Sequence, residues 1–239
     1  MPMTYVLHYA PDNASLIIRL VLEEMALPYR TVLVDRSRCA QNSAAYRTLN
    51  PAGLIPVLET DHGPLFETGA ILLWLADTHG KMAPAPDAPD RGDFLKWLFF
   101  ISNTLHAQLR MLFYPAKYVG DDLSAQAQLR QTLTRRCPTQ MTLPDALDLL
   151  DARKALHSDS GPHAPDVLDY YVMAVLRWCR LYPVDHTDWF DLQEYPALLT
   201  LAQDLEVRPA IHAAQTAEGL GATPFSAPSY ANPPEGSAT

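Results

Sequence analysis

The sequence predicts a chain in two parts, an α/β layer over about the first 80 residues and an all-α bundle after it. Three observations carry this. Up to residue 80, short runs rich in aromatic and β-branched residues alternate with runs of helical period. A segment holding Pro84, Pro86 and Pro89 then interrupts the chain, and beyond it the apolar period is helical almost throughout. The length of 239 residues accommodates two ordinary domains, and a 48% hydrophobic content supplies a packed core.

Taken in order, Tyr5-Val6-Leu7-His8-Tyr9 reads as a strand, broken by Pro11-Asp12-Asn13. From Ser15 the residues Leu16, Ile17, Leu20 and Val21 set a helix that runs to about Ala26, before Leu27-Pro28-Tyr29 stops it. Thr31 to Val34 is a second strand. A polar stretch with Tyr46 and Leu49 leads to the turn signal Asn50-Pro51-Ala52-Gly53. Ile55 to Glu59 and Leu65-Phe66 are short strands joined at Asp61-His62-Gly63, a hairpin pattern. Thr68 is a candidate cap for a helix from Gly69 to Asp77. Strands separated by helices predict parallel pairing, and the hairpin adds an antiparallel pair.

Beyond the linker, expected over 81–93, a helix runs from Phe94 to Leu112. Asp166-Val167-Leu168-Asp169 is a capping signature ahead of an apolar helix from Tyr170 to Cys179. Two more helices are expected, from about Tyr195 to Glu206 and from Arg208 to Glu218. The expected bounds are 1–80, 81–93, 94–222 and a tail over 223–239. That tail is rich in Pro, Ser, Ala and Gly, shows no period, and is expected to be disordered.

Composition narrows the function. With 18 Lys+Arg against 27 Asp+Glu the net charge is −9, which repels nucleic acid and anionic membranes. Charged residues are only 19%, leaving room for an apolar partner surface. Cys39, Cys137 and Cys179 are widely spaced and form neither a disulfide framework nor a zinc pattern. Met1-Pro2-Met3-Thr4 lacks a basic segment followed by an apolar one, and no apolar run approaches the roughly 20 residues of a membrane span. The expectation is a cytoplasmic protein.

Several stretches in this order and spacing carry a resemblance. They are Leu49 to Leu58, Phe66-Glu67-Thr68-Gly69-Ala70-Ile71-Leu72, Trp97 to Ile101, Leu105-His106, Val175 to Trp178, Arg208-Pro209-Ala210 and Glu218-Gly219-Leu220. Together they resemble the cytosolic glutathione transferases, with the bacterial beta class the most similar. The resemblance covers nearly all of residues 4–220 and departs over about 116–163, a stretch rich in Gln, Thr, Asp and Ser. It implies a thioredoxin-like glutathione-binding domain followed by a helical bundle bearing the second-substrate site. It also implies a two-fold homodimer, glutathione as co-substrate, no metal, and a role in detoxification.

The resemblance assigns roles residue by residue. Pro56 resembles the family's cis-proline, which leaves the Ile55 main chain open to pair with the ligand's cysteinyl amide. Glu67 would meet the α-ammonium of glutathione, while Thr68 and the helix N-terminus hold its α-carboxylate. The glutathione thiol, like free cysteine, titrates near about 8.5, so it must be activated. Lowering it by two units takes roughly 2.7 kcal/mol of preferential thiolate stabilisation.

The beta-class cysteine position falls on Ala14, which removes a covalent mixed disulfide there. The serine of theta- and zeta-type relatives falls on Asp12, whose negative charge would raise a nearby thiol pKa. Ser15, His106 and Asn13 remain as candidate activators. Each has a structural alternative: helix capping for Ser15, a satisfied buried histidine for His106, a turn for Asn13. Tyr9, Phe113, Tyr114 and Tyr118 are candidates to line an apolar pocket for an electrophile, or simply core. The implied activity is conjugation of glutathione to a small apolar electrophile. Glutathione-dependent peroxide or disulfide chemistry, and a non-enzymatic binding protein of the same fold, stand as alternatives.

Overall fold

The computed structural model describes residues 4–158 and 164–238, with His157 and Ser158 described by backbone alone. The expected domain limits at residues 1 and 239, and part of the divergent stretch at 159–163, lie outside the described residues.

The first part is a four-stranded sheet in the order β2-β1-β3-β4, with β1 Tyr5–Tyr9, β2 Tyr29–Leu33, β3 Val57–Thr60 and β4 Gly63–Phe66. β1 runs parallel to β2, with Leu7 opposite Thr31, and antiparallel to β3, with Leu7 opposite Leu58. β3 and β4 form the expected hairpin, Leu58 facing Leu65. All five residues of β1 are buried, because it is central and covered on both faces, so its sequence shows a continuous rather than alternating pattern. Helix α1, Ser15–Glu24, is buried from Ser15 to Leu22, wedged between the sheet and the second part of the chain. Between β2 and β3 the chain makes two short 3₁₀ turns and helix α2, Ala44–Leu49. Helix α3, Thr68–His79, closes this thioredoxin-like part.

The second part is helical. α4 (Arg91–Phe100) begins inside the expected linker and continues through a π-helical segment, Ile101–His106, into α5, Ala107–Phe113. There follow α6 (Ala116–Val119), α7 (Leu123–Thr134), α8 (Leu143–Ser158), α9 (Val167–Leu181), α10 (Pro196–Glu206) and α11 (Pro209–Glu218). α9 is the centre of the bundle, buried from Val167 to Cys179. Its start is a complete capping box: the Asp166 carboxylate accepts from the N–H groups of Leu168 and Asp169, and the Asp169 carboxylate accepts from the Asp166 N–H. Among the described residues no helix is long and apolar enough to cross a membrane.

The tail departs from its expected disorder. Phe225 is buried, and the Glu206 carboxylate accepts from the N–H groups of Phe225 and Ser226 at 2.8 Å each. The chain then returns to α11, where the Asn232 N–H donates to the Gly219 carbonyl. Gly219 has φ +64, and a β-carbon there would lie 2.0 Å from the Asn232 carbonyl oxygen, so only glycine fits. The tail ends against β1 and β2. The Tyr9 hydroxyl donates to Glu235 at 2.5 Å, and Gly236 packs on Leu33 and Pro11. Composition signalled disorder; side-chain anchors and backbone caps supply the order instead.

Candidate functional site

The turn motif before β3 builds the first wall. Asn50, buried, donates from its side-chain amide to the Leu54 carbonyl at 2.8 Å, and its Oδ1 accepts from the Ala52 N–H at 3.0 Å. The Tyr46 hydroxyl donates to the same Leu54 carbonyl at 2.8 Å. Gly53 sits at φ +65 with the Gln41 carbonyl against it. The chain thus arrives at a cis Ile55-Pro56 peptide bond. β3 starts only at Val57, and among the described residues the Ile55 N–H and carbonyl make no hydrogen bond. An open backbone donor and acceptor beside a sheet is an edge ready to pair with a peptide.

The N-terminus of α3 follows directly on β4, whose Phe66 pairs with Val57 of β3. Thr68 is not its cap: Glu67 holds that position, at φ 71 and ψ 115, while Thr68 is the first helical residue and is buried. A glutamate with positive φ is a strained backbone position, of the kind that clusters at binding sites. Glu67 is exposed and makes no capping bond, so among the described residues the first amides of α3 have no side-chain partner. A carboxylate beside free helix N-terminal amides suits a zwitterion, an ammonium on Glu67 and a carboxylate on the amides. Gly69 lies against the π-helical segment, its would-be β-carbon 3.5 Å from Ser102.

The third wall is the β1–α1 turn, where the three candidate activators fare differently. Ser15 is fully buried; its hydroxyl donates to the Ala10 carbonyl at 3.0 Å and accepts from the Ala10 N–H at 3.2 Å. It locks the turn, with its hydroxyl proton committed to the Ala10 carbonyl. His106, at the end of the π-helical segment, pairs through Nδ1 with the Tyr171 hydroxyl at 2.9 Å and leans on Trp178. Burial, reinforced by Arg110, pushes its pKa down to about 4, so it is neutral rather than a cation at neutral pH. Asn13 is half-buried beside the α1 N-terminus; its Oδ1 accepts from the Ala14 N–H at 2.8 Å, which leaves its amide NH₂ as the donor. Among the described residues that NH₂ has no partner.

The lowered histidine has a testable sign. The folded protein disfavours imidazolium, so His106 contributes stability above pH 6.5 that is lost as pH falls toward 4. Chemical denaturation at several pH values is expected to show this decline, and His106→Asn is expected to flatten it. An unchanged slope in the variant would mean the ring titrates normally.

Asp12 is not the free anion that its sequence position suggested. Its carboxylate takes Arg177 Nε at 2.8 Å and Nη2 at 2.9 Å, Trp178 Nε1 at 3.0 Å and the Tyr182 hydroxyl at 3.0 Å, all in the interior. The other Arg177 donors go to the carbonyls of Leu220, Pro224 and Ser229, so all five of its N–H groups are used. The Asp12 N–H in turn donates to Glu218, which pairs with Arg19 at 2.7 Å. Two carboxylates thus face two guanidiniums, and Asp12 imposes little repulsion on a thiolate nearby. Arg177 is the functional-site residue that sequence reasoning missed. A charge within an otherwise apolar helix was the available signal, since such a residue requires a buried partner.

The pocket candidates separate as well. Tyr9 is buried, under Arg19 at 4.8 Å, and its hydroxyl is taken by the tail, so it lines no open pocket. Phe113 is partly buried and meets the rings of Tyr114 and Tyr182, 6.4 Å away in each case. Tyr114 and Tyr118 are exposed at the rim. A cavity of about 580 Å³ lies elsewhere, between the linker and α9, lined by Glu24, Lys81, Asp90 and Asp166 among others. No three candidate ligands gather for a metal among the described residues. Cys39, Cys137 and Cys179 are unpaired thiols.

Residues 14–78 match the family model described as glutathione S-transferase, N-terminal domain. A glutathione S-transferase of Xanthomonas campestris pv. campestris, GST-4.5, is 31% identical over 216 residues, which cover 90% of this chain and 98% of that protein. A sphingomonad glutathione S-transferase, solved in complex with glutathione, superposes with a TM-score of 0.68 at 30% identity over 90% of this chain and all of that one. A bacterial beta-class enzyme from Sphingomonas chungbukensis gives 0.69 at 26% identity, covering 90% and 98%.

Proposed function

The chain belongs to the cytosolic glutathione transferase family, with beta-class relatives, and from that premise we propose that it conjugates glutathione to small electrophiles. One observation carries the reading: the β3–β4 register sets Val57 opposite Phe66, so the cis Ile55-Pro56 bond, with the Ile55 main chain unpaired, and Glu67, the α3 cap at φ 71, adjoin paired strands, and among the described residues the Glu67 carboxylate makes no hydrogen bond. Glutathione would pair with Ile55, set its α-carboxylate on Thr68 and the α3 amides, and place its ammonium on Glu67.

Its sulfur would then lie over the α1 N-terminus. Asn13, rather than Ser15, is the side chain that donates to it there, with the helix end behind it. A hydrogen bond to a charged group contributes about 1.5–3 kcal/mol and a helix N-terminus about 0.3–1 kcal/mol. Together these lower the thiol by about 1.3 to 2.9 units, enough to hold a substantial thiolate fraction at neutral pH. Neutral His106 can add one N–H but no charge. The thiolate attacks the electrophilic carbon, the carbon–sulfur bond forms, and the leaving group departs with its electron pair. Ala14 gives no covalent sulfur, so a disulfide cycle through a protein cysteine at that position is unavailable; a non-covalent peroxide reduction by the same thiolate is the second reading. Exposed Phe66 and Phe99 supply apolar surface for the two-fold homodimer we expect. A cytoplasmic setting, where glutathione is abundant and thiols stay reduced, suits all of these roles.

Ultraviolet titration of glutathione bound to the purified protein tests the scheme. The wild type is expected to hold the thiol at least one unit below its free value, and Asn13→Ala to give back about one unit. Binding without any shift would leave a glutathione-binding protein and remove the enzyme.

A further inference from the structure

The rim of the cleft carries a feature at odds with an acidic chain. Three cations from separate elements meet around two tyrosines. Arg36, just after β2, donates from Nη2 to the Tyr114 hydroxyl at 2.9 Å. Lys117 Nζ lies 4.8 Å from the Tyr114 ring centroid. Arg110 donates to the Tyr118 hydroxyl, its guanidinium carbon 5.7 Å from that ring. None of the three makes an ion pair among the described residues. Three neighbouring carboxylates are engaged otherwise, Asp35 with Ser37 and Arg38, Asp122 in capping α7 and Glu235 with Tyr9, while Asp121, four positions from Lys117, makes no ion pair with the cluster among the described residues. Uncompensated like charges held together cost stability, which suits a site that waits for an anion. Burial and then the two arginines also hold the Lys117 ammonium below its usual range.

A chain of contacts links the cluster to the β1–α1 turn. Tyr114 touches Phe113, Phe113 touches Tyr182, and the Tyr182 hydroxyl donates to Asp12 in the β1–α1 turn. An oxygen acceptor is already present: Arg36 Nη1 donates to the Ala238 carbonyl of the tail at 2.5 Å. Arginine forks and lysine favour carboxylate-type oxygens, and the tyrosine faces suit a flat apolar body.

We propose that Arg36, Arg110 and Lys117, with Tyr114 and Tyr118, form a selective mouth for electrophiles that pair an aromatic or conjugated body with a carboxylate or similar anion. This rests on the transferase reading and narrows its substrate class. A carboxylate displaces the Ala238 carbonyl at Arg36, and Lys117 and Arg110 neutralise it as the ring slides toward Phe113.

The test compares 4-chloro-3-nitrobenzoate with its methyl ester. In each, glutathione thiolate attacks the chlorine-bearing carbon, the carbon–sulfur bond forms, chloride leaves with the bonding pair, and the thiol proton passes to solvent. Rates are divided by the uncatalysed rate of the same compound, which removes the difference in intrinsic reactivity. The full-length wild type is expected to accelerate the benzoate about tenfold more than the ester, and the preference to shrink as salt screens the rim. Lys117→Gln and Arg110→Gln are each expected to cut kcat/KM for the benzoate several-fold, change the ester less than twofold and leave the glutathione KM unchanged. Lys117→Arg should restore the benzoate rate. Equal acceleration of both compounds overturns the anion assignment and leaves the transferase reading intact. Acceleration of neither overturns both, and the bound-thiol titration then tells whether activation or electrophile binding failed.

Discussion

Arg177→Met is expected to destabilise the protein by about 3–5 kcal/mol, because it strands the Asp12 carboxylate in the interior without its cation. Neither side chain is exposed, so water cannot take over the lost bonds. The substitution also removes the donors that hold the carbonyls of Leu220, Pro224 and Ser229, leaving three further acceptors short of partners. In a chain of this size the loss corresponds to a fall in melting temperature on the order of 10 °C. Thermal and urea unfolding of the single variants and of the double variant Asp12→Asn/Arg177→Met measure it. The double variant is expected to lose less than the sum of the singles, since the second change removes the stranded charge. A single-variant loss under about 1 kcal/mol would mean the site relaxes to admit water. Because Asp12 belongs to the turn that presents Asn13, a smaller loss of thiol activation is expected to accompany the loss of stability.

This pair also shows where sequence reasoning reached and where it stopped. Local signals were legible. The hairpin joined at Asp61 to Gly63, the helical period from Ser15, the turn at Asn50 to Gly53 and the capping box at Asp166 each involve residues within about four positions, and the structure contains each one. The cis bond at Ile55-Pro56 and the helix start at Glu67-Thr68, both carried by motifs, were legible for the same reason, although the cap turned out to be Glu67 rather than Thr68. Long-range partners were not legible. Asp12 read as a lone anion because its counter-ion is 165 positions away. Ser15 read as an activator because nothing local reveals that its hydroxyl turns inward to Ala10. His106 read as a possible cation because desolvation by the surrounding helices does not appear in its own segment. Asn13, read by sequence as either an activator or a turn residue, has the side-chain donor that the turn leaves available.

The tail makes the second large prediction. Phe225→Ala is expected to cost about 3–5 kcal/mol, the range for truncating a buried aromatic ring. Composition alone would forecast no effect, since a disordered tail has nothing to lose. The ring, however, is one of several anchors acting on the same few residues. Glu206 caps the N–H groups of Phe225 and Ser226 and takes the Ser226 hydroxyl at 2.6 Å, while Arg177 holds the carbonyls on either side of that segment. Emptying the Phe225 pocket therefore weakens the placement of everything after it, including Glu235 on Tyr9 and Ala238 on Arg36. Two measurements separate anchoring from mere packing. Chemical denaturation reads the total loss, and hydrogen exchange of the tail amides reads whether residues 226–238 come free before the rest unfolds. Glu235→Gln is the contrasting variant, expected to stay within about 1 kcal/mol because an amide oxygen still accepts from the Tyr9 hydroxyl. Fast exchange across the tail in the wild type, or a Phe225→Ala loss no larger than that of Glu235→Gln, would mean the sequence composition was the better guide.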